Sequence, residues 1–233
     1  MRRITLLLAI VMAVPAITFV LIKRRRNASV QQRTVAGVVA DLKKKRGREF
    51  LQTYPDLGEV KEILLIAIKD KRRLEVWTRN APGQAYRLRK RYRFTGFSGH
   101  LGPKRKSGDR QIPEGIYDIA GLNPNSRHHL SIRLGYPNAV DLQFASHEGR
   151  TELGGDIFIH GGNTTIGCIP IGDRNTEELF FLLAERPEAR QQILIMPVDF
   201  RLKQHESYHG KTAYEEHIYA LIRKEIQRTA EFF

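Results

Sequence analysis

Six apolar residues in a row, Ile63 to Ile68, are followed by the polar turn Lys69-Asp70-Lys71-Arg72 and a second run, Leu74 to Trp77. That is the pattern of a β-hairpin. Further strand candidates follow at Tyr86 to Phe97, Gly115 to Ile119, His129 to Leu134 and Asp156 to His160, separated by stretches rich in Gly, Pro, Asn and Asp. Gln192 to Val198 reads as a last strand, ended by Pro197. The body is therefore expected to be mainly β.

Helices frame it. Leu179, Phe180, Leu182 and Leu183 give one apolar side to a helix over Asn175 to Ala184, with Asn175 or Thr176 as its N-cap. Ala213 to Phe233 places Tyr214, Ile218, Leu221, Ile222 and Ile226 on one face, as in an amphipathic helix that packs on the body. A chain of 233 residues, 41% apolar and 27% charged, is long enough for one domain with a proper core and extensions at both ends.

Residues Ile4 to Ile22 carry no charge, with Arg2 and Arg3 before them and Lys23 to Arg26 after. As a helix this run would be about 28 Å long, close to the hydrocarbon thickness of a bilayer. It reads as an uncleaved transmembrane anchor rather than a signal peptide cut after Ala16, because the apolar run continues past that point. Taken alone, the larger basic cluster after the span would place the body in the cytoplasm. From Asn27 to Gly58 the chain is basic and helix-prone, with Val35, Val38, Val39 and Leu42 at near-helical spacing and the run Lys43 to Arg46. It is expected to form a juxtamembrane stalk on anionic lipid, or else a solvated helix. The expected divisions are 1–26 (anchor or signal segment), 27–58 (stalk), 59–199 (main domain) and 200–233 (helical extension).

The formal charge of +14 favours a polyanionic neighbour, which nucleic acid, anionic lipid and a carboxylate-rich bacterial wall all satisfy. No aromatic-basic repeat or recognised reading motif supports nucleic acid. Cys168 is the single cysteine, which excludes an intramolecular disulfide and a multi-cysteine zinc site. A buried thiol, an intermolecular link and a nucleophile remain.

The stretch that separates them is Gly155 to Asp173, GDIFIHGGNTTIGCIPIGD. A short apolar strand delivers His160 at its end, a Gly-rich turn follows, and Cys168 comes eight residues later. A thiol is mostly protonated at neutral pH and needs a base or a positive neighbour to react. His160 supplies one. Gly161, Gly162 and Gly167 allow close backbone approach, and the amides near Gly167 and Cys168 are natural oxyanion donors. A tight hairpin with a buried thiol fits the same local pattern.

Ile159-His160-Gly161 and Thr165-Ile166-Gly167-Cys168 resemble the active-site signature of the YkuD-type L,D-transpeptidases, a histidine in an Ile-His-Gly context before a Ser-X-Gly-Cys element. Gly108 to Tyr117 resembles the family's Thr-Pro-X-Gly-X-Phe/Tyr motif, and Ser98 to Lys104 and Gly135 to Asn138 are similar to its YafK-like branch. The resemblance runs from about Glu62 to Val198. It implies an α+β fold, mainly β, with a YkuD-like β-sandwich catalytic domain between the N-terminal transmembrane helix and the C-terminal amphipathic helix.

It further implies Cys168 as the acyl-accepting nucleophile, His160 as base, the Gly161 carbonyl as the group that orients the imidazole, and Gly167 with Cys168 as oxyanion donors. Thr165 stands where serine is usual. His100, on a loop like one that lines the family's site, and Lys104 and Arg110, in a basic loop that either grips carboxylates or is simply solvated, complete the expected substrate contacts. The reaction implied is attack on the carbonyl of diaminopimelate in a peptidoglycan tetrapeptide stem, followed by transfer to an amine. The alternative is hydrolysis as an L,D-peptidase or amidase. No cofactor or metal is expected, since His100, His128, His129 and His147 show no recognised ligand spacing and read as loop histidines.

The expected partners are stem peptides, an anionic membrane surface and an envelope lipoprotein as acceptor, with no nucleic acid. The chemistry places the catalytic domain in the periplasm, anchored to the inner membrane. The chain departs from commoner members in a shorter His-to-Cys interval, Ile166 in place of a second histidine, and Pro170 in place of arginine. Transfer versus hydrolysis is open at this stage, as is a non-catalytic envelope-binding role.

Overall fold

The computed structural model describes residues 32–230. The anchor expected over Ile4 to Ile22 lies outside them, and among the described residues no helix is long and apolar enough to cross a membrane.

The hairpin forms as β1 (Glu62–Ile68) and β2 (Arg73–Arg79), in register from Glu62 opposite Arg79 to Ile68 opposite Arg73. β1 is buried at every position because it is central and covered on both sides. Ile63, Leu65 and Ala67 enter one hydrophobic core, whereas Leu64, Ile66 and Ile68 enter a second on the opposite face, as the two-residue period of a strand requires.

The other strands are β3 (Arg87–Arg93), β4 (Gly115–Asn123), β5 (Ser131–Leu134), β6 (Phe158–His160), β7 (Ile169–Pro170) and β8 (Arg190–Met196). One mixed eight-stranded sheet results, in the order β3-β2-β1-β8-β4-β5-β6-β7. β8, last in sequence, inserts between β1, to which it is parallel, and β4, to which it is antiparallel. β4 pairs with β8 through residues 115–118 and with β5 through 119–123, so it joins the two halves of the sheet.

The expected α+β class holds. Ile63, Leu65, Val76, Ile193 and Ile195 of one half of the sheet share a core with Ile132, Leu134, Ile159 and Ile169 of the other, and helices add to the cover. On one face lie α1 (Val35–Thr53) and α3 (Asp173–Glu185); on the other lies α4 (Ala213–Ala230), with Tyr214, Ile218, Tyr219, Ile222 and Ile226 buried against Leu64, Ile66 and Leu194. β1, buried throughout, and the buried half of β8, Ile193 to Met196, need cover on both faces, and helices contribute to it.

The segment expected as a stalk is helical, but its apolar stripe is not left to lipid or solvent. Val38, Leu42 and Phe50 of α1 are buried, Phe50 packs on Phe181 of α3 with ring centroids 4.6 Å apart, and Arg46 is paired with Glu177 at 2.7 Å. Thr34 caps α1 by accepting a bond from the Gly37 amide. α3 begins earlier than expected: its N-cap is Gly172, not Asn175 or Thr176. A helix absent from the sequence reading, α2 (Ala139–His147), starts at a reciprocal capping box between Asn138 and Asp141.

Candidate active site

β6 and β7 run parallel side by side, with Ile159 opposite Ile169 and His160 opposite Pro170. That pairing brings the end of β6, which carries His160, beside Cys168, the residue just before β7. Both side chains line the same two cavities, one of about 440 Å³ and one of about 300 Å³, and His128 lines both with them. The sulfur is not sealed in the interior: Cys168 is half-buried and faces these cavities.

His160 itself is 2% exposed. Its Nδ1 lies 2.6 Å from the carbonyl oxygen of Gly161. A carbonyl only accepts, so Nδ1 carries the proton and Nε2 is left as the acceptor. Burial pushes the His160 pKa below its ordinary value, the Gly161 carbonyl opposes that, and His128 adds to it. Burial likewise raises the Cys168 thiol; a backbone bond at Phe158 lowers it, Asp156 raises it, and Lys104 lowers it. At neutral pH both groups are therefore neutral, and Cys168 Sγ donates to the Asp156 carbonyl oxygen at 3.7 Å.

The turn after His160 is held from three sides. The Gly161 amide donates to the His128 carbonyl at 3.1 Å, the Gly162 amide to Asp173 Oδ1 at 2.7 Å, and Thr95 Oγ1 to the Gly162 carbonyl at 2.6 Å. Only glycine fits at 161, because a Cβ there would lie 2.3 Å from Asp173 Oδ1 and 2.6 Å from the His128 carbonyl oxygen. Gly167 has φ +131°, and a Cβ on it would come within 3.0 Å of the Gln111 carbonyl oxygen, so the 98–114 loop forms the back wall of the Cys168 turn.

Thr165 lies within that turn. Its Oγ1 accepts from the amides of Gly167 at 3.2 Å and Cys168 at 2.8 Å, and donates to the Cys168 carbonyl at 2.8 Å. The two amides expected as oxyanion donors are thus already satisfied by a side chain in this arrangement.

The other expected contacts fall elsewhere. His100 is tied to Gln111, whose Oε1 accepts the His100 amide and whose Nε2 is 2.7 Å from its Nδ1. Lys104 is buried and bonded to Asp109 at 2.7 Å and to the Lys106 carbonyl, because an ammonium taken from water needs a carboxylate. Arg110 is exposed on the same loop. None of the three lines either cavity; their loop supports the Cys168 turn from behind.

In their place the larger cavity is lined by Asn123, Asn125, Arg127, His128, Ser131 and Asp156. Asn125, Arg127 and His128 lie on the β4–β5 connection, and no residue spacing in the sequence links that connection to Cys168. The link is made by β5–β6 pairing, which sets Ser131 opposite His160. His128, read as a loop histidine, stacks on His160 with ring centroids 4.4 Å apart and planes 29° from parallel. Among the described residues no group of three or more His, Cys, Asp or Glu could hold a metal ion.

Fold and site together define an α+β protein with a cysteine–histidine pair at the mouth of two cavities beside the short parallel strands β6 and β7. Among proteins of known assignment, the chain is 31% identical over 158 residues, 64% of its length, to "Putative L,D-transpeptidase YafK" of Escherichia coli K12, and equally to that of strain O157:H7. The motif resemblance to the YafK-like branch of the YkuD-type L,D-transpeptidases is borne out by this relative. The matched region spans 60% of the relative's length.

No family model matches the chain. Solved structures resemble it more distantly. The helical cell shape determining protein Pgp2 of Campylobacter jejuni matches at TM-score 0.48 and 18% identity, covering 77% of this chain and 78% of that one. L,D-transpeptidase 1 of Mycobacterium tuberculosis matches at TM-score 0.32 and 12% identity, covering 58% and 62%.

Proposed function

We propose that this protein is a peptidoglycan L,D-transpeptidase in which Cys168 attacks the carbonyl of a diaminopimelate residue in a tetrapeptide stem. The observation that carries the reading is one arrangement: a half-buried thiol and a histidine with a free Nε2, on neighbouring strand ends and lining the same cavities. His160 takes the thiol proton as the sulfur bonds to the carbonyl carbon, then returns it to the departing amine as the tetrahedral adduct collapses to a thioester. An incoming amine resolves the thioester by the reverse sequence. Water in that place would make the same site an L,D-peptidase.

Gly161 orients the base, and Gly167 keeps the Cys168 turn close against the supporting loop. For Gly167 and Cys168 to stabilise the oxyanion, their amides must exchange the Thr165 hydroxyl for the substrate oxygen. In the same reading the catalytic domain works at the cell wall, in the periplasm, anchored by the apolar N-terminal run, and the positive charge of the body favours the acidic wall.

The test is intact-mass analysis of the full chain after exposure to a carbapenem, followed by analysis of wall sacculi incubated with the enzyme. A stoichiometric adduct mapping to Cys168 is expected, lost in Cys168→Ala, along with new 3→3 cross-links or exchanged terminal residues. Only shortened or detached peptides would establish hydrolysis instead. Absence of any adduct, with unchanged sacculi, would remove the enzyme reading in favour of wall binding alone.

A further inference from the structure

His128 has no role in the chemistry above, yet among the described residues it is, with Cys168, one of two that line both cavities alongside His160. Its ring lies nearly flat on the His160 ring, at 4.4 Å between centroids. The two differ in surroundings. His128 is exposed, while His160 beneath it is 2% exposed, so the outer ring covers the inner one from solvent.

The backbone that carries the outer ring is fixed. The His128 carbonyl accepts the amides of Leu130 and Gly161, at 3.0 and 3.1 Å, and its own amide donates to Ser126 Oγ at 3.1 Å. Gly161, whose carbonyl holds His160 Nδ1, is therefore itself hung on His128. One residue supports the base from above through its ring and from the side through its main chain.

We propose that His128 is a positioning residue whose ring acts as a lid on the base, keeping His160 flat, dry and turned with Nε2 towards the cavity that holds Cys168. It rests on the reading of His160 as the base. A dry imidazole disfavours its charged form and remains a proton acceptor at pH values where an exposed histidine has already been protonated. The other charged or titratable groups around it are Cys168 on the β6–β7 turn, Asp156 ahead of β6, Arg127 beside His128, Asp173 at the head of α3, and Lys104 on the loop behind Cys168. Loss of the lid leaves these in place; besides the cover, it removes the His128 charge, which itself lowers the His160 pKa and is absent from both variants, so the difference between them reads the cover alone.

The test compares the full chain, in detergent micelles, with its His128→Phe and His128→Ala variants, reading the His160 ring by nitrogen NMR over a pH titration. Phenylalanine keeps a flat ring without a charge; alanine removes it. The wild type and His128→Phe are expected to titrate His160 below the ordinary histidine range. In His128→Ala the midpoint moves upward, and carbapenem acylation at pH 6 falls by roughly twofold or more as less of the base is neutral. An unmoved midpoint in His128→Ala overturns the proposal, as does a shift in His128→Phe as large as that in His128→Ala. The titration needs no turnover, so a protein that never acylates would sink the enzyme reading and still decide this one.

Discussion

At the scale of single residues, the site is built from two groups whose proton affinities are both moved towards their neutral forms. Burial lowers His160 from an ordinary 6.5 and raises Cys168 from an ordinary 9.0. The acylation rate should then rise as pH climbs to a point below 6.5, where His160 loses its proton. It should hold level to beyond pH 9. Carbapenem acylation followed by stopped-flow fluorescence measures this, and thiolate absorbance near 240 nm at pH 7 would contradict it. Thr165 gives a second prediction. Thr165→Val removes the acceptor of two amides and should lower stability by about 1–3 kcal/mol, the cost of leaving them unpaired. Thr165→Ser keeps the hydroxyl and should stay within about 0.5 kcal/mol of the parent in urea unfolding.

The 98–114 loop is the element on which the Cys168 turn leans, and it is fastened from below. Lys69, at the end of β1, forms a buried ion pair with Glu114 at 2.8 Å and donates to the carbonyls of Gly102 and Ile112, at 2.6 and 3.0 Å. Glu114 also accepts from the Gly102 amide and from Tyr219 of α4. Burial lowers the Lys69 pKa, and the Glu114 carboxylate works against that. Glu114→Gln leaves an ammonium buried without its counter-charge and should cost about 3–5 kcal/mol. Replacing both partners, as Lys69→Met with Glu114→Gln, should cost less than the sum of the single changes, which a double-mutant cycle in urea checks. A slower acylation of Cys168 in the single variant would accompany the loosened loop.

The same elements show what could be read beforehand. The hairpin of β1 and β2 was legible because six apolar residues, a charged turn and a second apolar run leave few other folds. His160 and Cys168 stood out in the sequence because the residues around them, Ile159-His160-Gly161 and Thr165-Ile166-Gly167-Cys168, resemble a known signature even though the interval between them is shorter. The cover over His160 was not, since His128 reaches the site through pairing of β5 with β6, which a linear pattern does not encode. His100 and Lys104 were misplaced for the converse reason. A loop signature marks where a segment lies but not which of its side chains turn inward to Gln111 and Asp109. α2 carried a legible signal, Asn138 followed three residues later by Asp141, but its helix spans only nine residues and its apolar pattern is weak.

Across the whole molecule the net positive charge conceals a dense pairing of the acids. Glu75 and Asp199 are buried, which by itself raises their pKa values, but Arg201, bonded to both, outweighs this and holds them below the ordinary range. Glu62 with Arg79, Asp56 with Arg89 and Asp109 with Lys104 show the same balance of burial and pairing. Glu49, bonded to Arg46 and Arg174, is lowered to about 2. A carboxylate with a depressed folded pKa binds fewer protons folded than unfolded, so it contributes stability above its ordinary value and loses it as pH falls through the folded one. Asp141 runs the other way: burial raises it, against bonds from Tyr214, Asn138 and Tyr117, so it favours the folded state below 3.8 and gives that up as pH rises. With Glu148, which burial would raise but Arg150 and Arg105 hold down, seven lowered acids outnumber the one that is raised among the described residues. The urea midpoint should therefore be flat near neutrality and decline steadily from about pH 4.5 towards 2, with the Arg201→Met variant, which leaves Glu75 and Asp199 to share the half-buried Arg73, losing stability at neutral pH and showing a shallower decline.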